Sequence, residues 1–413
     1  MLIKTSERSC IACGCSNFEL VHRNELATLD GIDLSSSIGL CFECGQLQAH
    51  CLAPPEQYDD YYQQLSKTDF SETLSALDEA RICEAVQLCR EHSQPGAKVA
   101  DLGCGSGDLL ARLQINGFSP VLGIDPGAGS AIQAKRQHGL TVVEQGFIGK
   151  GMERLQYAAP DLVMLMAVLE HLWDARSDFD QLAAALKPGA KLILEVPAIE
   201  GMDQHLGEPL GEFSIEHIQF FSTRTLKRLM GAAGLKVLHT RLVHWPDGFG
   251  SSLYAVAQRP PINSAPSMMP LDNTWDRTHE RKIVLRYSEQ GRHALQASLT
   301  RIPDQVPLVI YGAGAHTARL LPLLPTKVAQ RVICLVDGNP NLHGKQMGQF
   351  TIKPPQHLAQ HPEATVVISS YRSQESLAKS LDQSWPNAIC RLYQYPAAHP
   401  YPPANAVTTH ASA

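Results

Sequence analysis

The sequence predicts an α/β protein with a small cysteine-rich lobe in front of two strand–helix cores. Three observations predict it: two CxxC pairs near the start, apolar runs alternating with amphipathic stretches, and two glycine-rich turns that each follow an apolar run. Such alternation is typical of a parallel sheet covered by helices. In chain order we expect an N-terminal lobe over 1–70, a core domain over 71–258, a linker over 259–276, a second α/β domain over 277–400 and a flexible tail over 401–413.

The composition is that of an ordinary globular protein. The 413 residues are 44% hydrophobic and 18% charged, with a net charge of −6 and no basic block. This balance argues against nucleic acid or an anionic membrane as the main partner. The start of the chain has no apolar signal core, and no run reaches the ~18 apolar residues of a membrane span. We therefore expect a cytoplasmic protein, as a monomer or homodimer.

The N-terminal lobe carries the cysteine pairs Cys10–Cys13 and Cys41–Cys44, each followed by a glycine. A tight turn can aim both thiolates of a pair at one ion, and two pairs make a four-thiolate zinc site. Because four thiolates leave no open position, the zinc is expected to be structural and to stabilise a lobe with little core of its own. Chance occurrence or redox-active pairs are the alternatives. Cys15 and Cys51 are expected not to be ligands.

The first glycine-rich turn follows an apolar run ending at Asp101. Gly103, Gly105 and Gly107 permit a turn that brings the backbone close to a ligand, and a helical pattern begins directly behind it. The next apolar run ends in Asp125, twenty residues beyond Gly105, where a carboxylate can accept hydrogen bonds from a ribose. The pattern predicts a nucleotide-type ligand.

The motif DLGCGSG resembles the first motif of class I methyltransferases. The resemblance continues through Glu144-Gln145-Gly146, through 161–172 and through 186–197. It implies S-adenosylmethionine as the cofactor, with Asp101 and the glycines at its methionine end, Asp125 at its ribose and Gln145 near its adenine. A dinucleotide fold with another ligand is the alternative.

Two histidines are candidate general bases for an acceptor. His171 lies just beyond the fourth predicted strand, whose carboxyl end should face the ligand crevice. Glu216 and His217 form an adjacent carboxylate–imidazole pair that can titrate near neutral pH. For His171 a capping or packing role is the alternative.

The paired CxxC motifs, the Rossmann-like methyltransferase core, the segment EHIQFFS and a second, C-terminal Rossmann-like domain together resemble the sugar C-methyltransferases of deoxysugar biosynthesis. That resemblance implies proton removal beside the ketone of a nucleotide-linked sugar, followed by methylation of the enolate. It implies His217 as the base, supported by Glu216 and His171. It also implies that Tyr58, Tyr61 and Tyr62 approach the sugar.

The second glycine-rich turn contains Gly312, Gly314 and His316, and the following predicted strand ends in Asp337, twenty-three residues beyond Gly314. A helix N-terminus binds anions, and Asp337 could take a ribose. We expect this domain to bind the nucleotide or carrier part of the acceptor, with His316 as a contact. Packing alone or a redox cofactor are the alternatives.

The sequence thus predicts an S-adenosylmethionine-dependent methyltransferase whose acceptor is a nucleotide-linked sugar or a related small-molecule metabolite. The alternatives are an O- or N-methyltransferase of a natural product and a non-catalytic scaffold that binds zinc and a nucleotide.

Overall fold

An antiparallel sheet forms the N-terminal part of the protein. The computed structural model describes residues 2–4, 8–51, 53–54, 56–57, 74–204, 207–245, 250–261, 277–382, 385 and 388–394. The sheet has the strand order β1-β2-β3-β4-β10, in which the last strand comes from much later in the chain. Its strands are β1 (Leu2–Lys4), β2 (Asn17–Asn24), β3 (Ser36–Cys41), β4 (Leu47–Cys51) and β10 (Gln219–Phe220).

The central sheet has seven strands in the order β11-β12-β9-β8-β5-β6-β7. Strands β5 to β9 are parallel, and β12 runs antiparallel between β9 and β11. The strand order reverses between β5 and β8, and in open α/β sheets the ligand crevice lies at such a point. The strands are β5 (Val99–Leu102), β6 (Val121–Asp125), β7 (Val143–Gln145), β8 (Leu162–Met166), β9 (Lys191–Pro197), β11 (Lys236–His244) and β12 (Ser251–Gln258).

Helices cover both faces of the central sheet. The first begins where Ser75 Oγ accepts a hydrogen bond from the Asp78 amide at 3.1 Å, which satisfies an otherwise unpaired donor. The sixth begins with a capping box between Ser222 and Thr225. The helices are α1 (Ala76–His92), α2 (Asp108–Ile115), α3 (Ser130–His138), α4 (Ile148–Ala158), α5 (Ala175–Ala185) and α6 (Thr223–Ala232), with a 3₁₀ turn at Leu169–His171.

A third sheet of six strands has the order β15-β16-β14-β13-β17-β18 and is parallel except at β15. Its strands are β13 (Leu308–Tyr311), β14 (Val332–Val336), β15 (Gln346–Met347), β16 (Phe350–Lys353), β17 (Thr365–Ile368) and β18 (Ile389–Arg391). The accompanying helices are α7 (Thr278–Leu299), α8 (Ala315–Leu320), α9 (Thr326–Ala329) and α10 (Gln374–Asp382), with 3₁₀ turns at Leu321–Leu323, Pro340–Leu342 and Pro355–Gln360.

One hydrophobic core joins the N-terminal sheet, the 199–220 segment, α7 and one face of the third sheet. Buried Arg319 of α8 reinforces the contact by donating a hydrogen bond to the Phe213 carbonyl at 2.9 Å. The α/β core predicted from the sequence is confirmed. Most of the predicted linker (262–276) and the whole predicted tail (401–413) lie outside the described residues. None of the described helices combines the length and apolar character needed to cross a bilayer.

Candidate donor cleft and histidine cluster

The turn after β5 depends on three glycines with positive φ. At Gly103, with φ +86°, an added Cβ would lie 2.3 Å from Val168 Cγ2, so no larger residue fits. Gly105, with φ +52°, has nothing within 4 Å of an added Cβ and lines a cleft. A side chain there would occupy the space beside the backbone. The turn is therefore a cradle in which a ligand can lie against the main chain.

Asp101 lies at the floor of this cleft. It is 2% exposed, and its Oδ1 has no hydrogen-bond partner among the described residues. Burial raises the pKa of this carboxyl to about 7, and the nearby Asp125 raises it further. Because a buried carboxylate without a partner is costly, the site suits a cationic group supplied by a ligand. The ammonium end of S-adenosylmethionine has that charge.

Asp125 supports the turn. Its Oδ2 accepts from the Gly105 amide at 2.8 Å, while Oδ1 accepts from the Gly127 amide at 2.8 Å and from Ser130 Oγ at 2.7 Å. These bonds fix the carboxylate at the end of β6. Gln145, at the end of the adjacent β7, is exposed and donates to the Pro126 carbonyl at 3.2 Å. The ribose and adenine roles of Asp125 and Gln145 stay predictions.

The cleft encloses about 310 Å³ and is acidic along the residues described. Its carboxylates are Asp78, Asp101, Asp108 and Glu195, and its one described guanidinium is Arg81. Arg81, from α1, forms an ion pair with Glu195, which is 1% exposed at the end of β9. Since the pair neutralises itself, the remaining field of the cleft favours a cationic ligand.

A second polar group lies at the carboxyl edge next to the cleft. One ligand-type atom from each of Glu170, His171 and His217 lies within 4.8 Å of the others. The two imidazole centroids are 5.1 Å apart, and Glu170 Oε1 is 3.8 Å from His171 Nε2. His171 Nδ1 lies 2.9 Å from the Glu216 carbonyl oxygen. Because a carbonyl only accepts, Nδ1 is assigned the proton and Nε2 of a neutral imidazole carries the lone pair.

Burial shifts the protonation of this histidine cluster, defined as Glu170, His171 and His217. It raises the pKa of Glu170 to about 7 and lowers that of His217 to about 3, the latter helped by the His171 ring. Within the described part of the chain, we find no hydrogen-bond partner for either oxygen of Glu170 or for Nδ1 of His217. His217 is therefore a neutral imidazole at physiological pH, and the same burial makes it a weak base. Arg81 lies near enough to lower the pKa of both Glu170 and His217, so the cluster and the cleft share one electrostatic environment.

The N-terminal sheet holds the EHIQFFS segment in place. Strand β10 pairs antiparallel with β4 immediately after His217. The Ile218 amide donates to the Glu170 carbonyl, and the Ala49 amide donates to the Ile218 carbonyl, both at 2.9 Å. This segment therefore joins the first and second sheets, and that junction places His217 beside His171.

The four predicted zinc ligands converge. Cys10 Sγ lies 3.4 Å from Cys44 Sγ, and Cys13 Sγ lies 3.6 Å from Cys41 Sγ. One ligand atom from each lies within 4.8 Å of the others. Four sulfurs bound at ~2.3 Å around one zinc lie about 3.8 Å apart, close to these separations. Both pairs close through a glycine with positive φ, whose amide donates to the carbonyl of the first cysteine.

Cys15 lies beside this cluster, and its Sγ accepts from the Asn17 amide at 3.3 Å. Cys51, at the end of β4, is not among the four clustered thiols.

The second glycine-rich turn is closed by its own side chains. Asp337 Oδ2 accepts from the Ala313 amide at 2.7 Å, and Thr317 Oγ1 donates to the Gly312 carbonyl at 2.6 Å. An added Cβ at Gly312 would lie 2.7 Å from the Ser369 carbonyl oxygen. At Gly314, which precedes α8, it would meet nothing within 4 Å.

His316 is buried in the same region, with Nδ1 2.9 Å from Ser369 Oγ and Nε2 2.5 Å from Tyr393 Oη. Both ring nitrogens are thus engaged within the protein. A ligand role for this turn stays a prediction. Tyr58, Tyr61 and Tyr62 lie outside the described residues.

Sequence reasoning missed Arg81, Glu195 and Glu170. Glu170 adjoins His171 in the sequence, and an acidic residue beside a candidate base was the available signal. Arg81 and Glu195 lie on a helix and a strand far apart in the sequence, and no local pattern marks either. Glu216 contributes its backbone carbonyl to the cluster, and its predicted catalytic role stays a prediction.

The sequence profile of the family described as "Methyltransferase domain" matches residues 75–240. This stretch runs from the cap of α1 into β11 and contains the cleft and the histidine cluster. Residues 75–240 are a class I S-adenosylmethionine-dependent methyltransferase domain.

The domain is similar to tRNA U34 carboxymethyltransferases. That of Pseudoalteromonas translucida is 34% identical over 151 residues, which are 35% of this chain and 47% of the relative. The enzyme of a Geobacter species is 34% identical over 128 residues, which are 30% of this chain and 40% of the relative. The matched region thus spans less than half the length of these relatives. A solved structure of Burkholderia thailandensis 1,6-didemethyltoxoflavin-N1-methyltransferase covers 57% of this chain, and 100% of its own, at a TM-score of 0.41 and 19% identity.

These relatives correct two predictions. The small-molecule acceptor, whether a sugar or a natural product, is wrong on this comparison, because the relatives are named for a tRNA base. The exclusion of nucleic acid is wrong for the same reason. Net charge describes the whole chain, whereas contact with phosphates requires only a local basic surface. The non-catalytic alternative also fails, because the domain is that of an enzyme.

Proposed function

We propose that this protein alkylates a base of an RNA, with a tRNA uridine as the acceptor, using S-adenosylmethionine bound in the cleft beside β5. The observation that carries the proposal is the unpartnered Oδ1 of buried Asp101 next to the open cradle at Gly105. The RNA acceptor rests on the names of the relatives.

Asp101 and the glycine turn would hold the donor at its methionine end. The donor supplies an electrophilic methyl group on a sulfonium. Asp101 accepts hydrogen bonds from the donor's ammonium, and the Gly105 backbone lies alongside it without a side chain in the way. Positioning of this kind can supply several kcal/mol of rate acceleration, about 7–11 in ideal cases.

The histidine cluster would prepare the acceptor. Burial lowers the pKa of His217 to about 3, which leaves the imidazole neutral but a weak base, so its role is to accept a hydrogen bond from an acceptor N–H or O–H. Glu170 faces His171 Nε2 at 3.8 Å and can stabilise that ring as it becomes charged. The Glu216 carbonyl fixes the tautomer of His171 at Nδ1. A hydrogen bond to the imidazole orients the acceptor atom toward the donor and increases its electron density.

The transferred group is proposed to be methyl, although the relatives are named for carboxymethyl transfer. A carboxymethyl donor brings an additional carboxylate, which needs a cation nearby. Among the described residues that line the cleft, the one cation is Arg81, which already pairs with Glu195. The other charged residues that line it are carboxylates. Like charges at short range disfavour the anionic group.

The cysteine cluster is proposed to bind one structural zinc ion. Cys10, Cys41 and Cys44 are almost fully buried and Cys13 is partly so, which leaves a closed four-thiolate site. Through the β4–β10 pairing, the lobe that this ion would stabilise carries the segment of His217. Zinc would therefore support the active site without touching it.

The test is to incubate the full-length protein with unfractionated tRNA and methyl-labelled S-adenosylmethionine, then digest the RNA and weigh its nucleosides. A uridine heavier by one methyl group is expected. A parallel incubation contains the carboxylated donor instead. If it yields a uridine heavier by a carboxymethyl group while S-adenosylmethionine yields no modified uridine, the donor assignment is overturned. Donor binding in calorimetry without any labelled RNA would overturn the acceptor.

The matched variants are His217→Ala and His293→Ala. His293 lies exposed on α7 and should leave transfer unchanged. His217→Ala should lower the transfer rate about 100-fold or more while donor affinity is retained. Equal transfer by both variants would remove His217 from the mechanism.

A further inference from the structure

A cluster of three metal-binding side chains lies on the third sheet. Cys334 is in β14, His357 is in the 3₁₀ turn Pro355–Gln360, and His361 directly follows that turn. One ligand atom from each lies within 4.8 Å of the others. Strands β14 and β16 are paired, and the turn begins just after β16, so the fold itself brings the thiol and the imidazoles together.

The cluster lies on the face of the third sheet opposite to the core shared with the N-terminal sheet. Cys334 packs in a hydrophobic group with Val309, Val336 and Leu358, whereas the opposite face of the sheet packs into the core shared with the N-terminal lobe. This site is therefore separate from both the four-cysteine cluster and the histidine cluster.

Among the described residues His361 approaches Glu363, and the charge of Lys353 acts on Cys334 and His357. We find no hydrogen bond there for the Cys334 thiol or the His357 imidazole, and the two imidazole centroids are 5.2 Å apart. Cys334 is 5% exposed, while both histidines are partly buried. Glu363 Oε1 lies 3.9 Å from His361 Nδ1, where a carboxylate can orient the ring and leave Nε2 for a metal.

We propose that Cys334, His357 and His361 bind a zinc ion, with water in the fourth position. Thiolates and imidazoles both bind zinc, and three protein ligands with water in the fourth position make an open tetrahedral site. Bond lengths of 2.0–2.3 Å require ligand atoms about 3.3–3.8 Å apart. The partly buried imidazoles can rotate, and a movement of their ring nitrogens by about 1 Å closes the site. Binding releases the thiol proton to solvent. The ion ties the turn Pro355–Gln360 to the strand beneath it.

The test is metal content by elemental analysis of the full-length protein, reconstituted with excess zinc and dialysed against a weak chelator. Two zinc ions per chain are expected, one of them at the four-cysteine cluster. Cys334→Ala and the double variant His357→Ala/His361→Ala should each bind one. Cys390→Ala removes a similarly buried thiol from the same sheet, away from the two histidines, and should still bind two.

Cobalt substitution provides a second readout that does not depend on stoichiometry. The difference spectrum between the wild type and Cys334→Ala should contain a thiolate-to-cobalt charge-transfer band, and far-UV circular dichroism should show that both proteins are folded. Equal zinc content in the wild type and both variants, with no difference band, would overturn the site. Stoichiometric copper or nickel in place of zinc would overturn the choice of ion.

Discussion

Arg81 and Glu195 form an ion pair that joins α1 to the end of β9 between the donor cleft and the histidine cluster. Ser252 Oγ donates to the other oxygen of Glu195 at 2.5 Å, and Trp245 Nε1 donates to Ser252 Oγ at 2.8 Å. This chain of bonds fixes the carboxylate, which in turn fixes the arginine. The charge of Arg81 is thereby held in one position relative to both sites.

Glu195→Gln should destabilise the protein by about 3 kcal/mol, because it removes the buried countercharge of Arg81 and leaves only the more exposed Asp78, 3.8 Å away. The measurement is urea unfolding. Arg176→Gln breaks the exposed Arg176–Asp180 pair and should cost less than about 1 kcal/mol. Similar losses in the two variants would show that the Arg81–Glu195 pair behaves as a surface pair.

Gly105→Ala should abolish donor binding, because the new Cβ would enter the cleft at φ +52°. Gly189→Ala is the control: it introduces the same methyl group at φ +83°, also with nothing within 4 Å, but outside the cleft. Both variants should lose about 1–2 kcal/mol of stability from backbone strain. Calorimetric titration with S-adenosylmethionine should give binding only for Gly189→Ala, and retained binding by Gly105→Ala would contradict the cradle.

Donor affinity should depend on the ionisation of Asp101. Since its pKa is raised to about 7, the carboxyl is neutral below that pH and cannot attract the donor's ammonium. Affinity should rise by up to tenfold per pH unit from about pH 5 and level off near 7. Asp101→Asn should bind the donor weakly and without this pH dependence. Glu170→Gln is the control, because burial also raises the pKa of the Glu170 carboxyl to about 7; this variant should keep the pH dependence of donor affinity. A pH-independent affinity in the wild type would exclude Asp101 as the donor's partner.

Glu170→Gln should reduce kcat more than Glu216→Gln does. Glu170 faces His171 across 3.8 Å, whereas the contact of Glu216 with that ring is made by its backbone, which the substitution retains. We expect at least a tenfold difference in kcat between the variants, with KM for the donor nearly equal. The opposite order would restore the adjacent Glu216–His217 pair that the sequence suggested.

Loss of the proposed zinc should unfold the N-terminal lobe and lower activity indirectly. Cys10→Ser removes one of four ligands, so we expect the lobe to lose protection in hydrogen exchange, including β4 and β10. Cys83→Ser changes an exposed cysteine on α1 and should alter nothing. Full protection of β4 in a zinc-free Cys10→Ser protein would mean that the lobe folds without metal.

Local patterns in the sequence predicted the glycine turn, Asp101 and the four clustered cysteines, because these features depend on neighbouring residues. A turn with positive φ needs glycine at fixed positions, and a pair of cysteines two apart can reach one ion by itself. The histidine cluster was predicted in part: His171 and His217 were both identified, but their contact was not. Their separation is set by the β4–β10 pairing, which no local pattern encodes.

The sequence by itself determined that this protein contains a glycine-rich turn after an apolar strand, a cysteine cluster and two strand–helix cores, because spacing and periodicity act over a few residues. Only the tertiary structure decided that Glu170 rather than Glu216 faces His171, that Arg81 is neutralised by Glu195, and that Cys334 meets two histidines. Each of these contacts joins different segments of the chain. Their charges and pKa values depend on burial and distance, which exist only once the sheets have packed together.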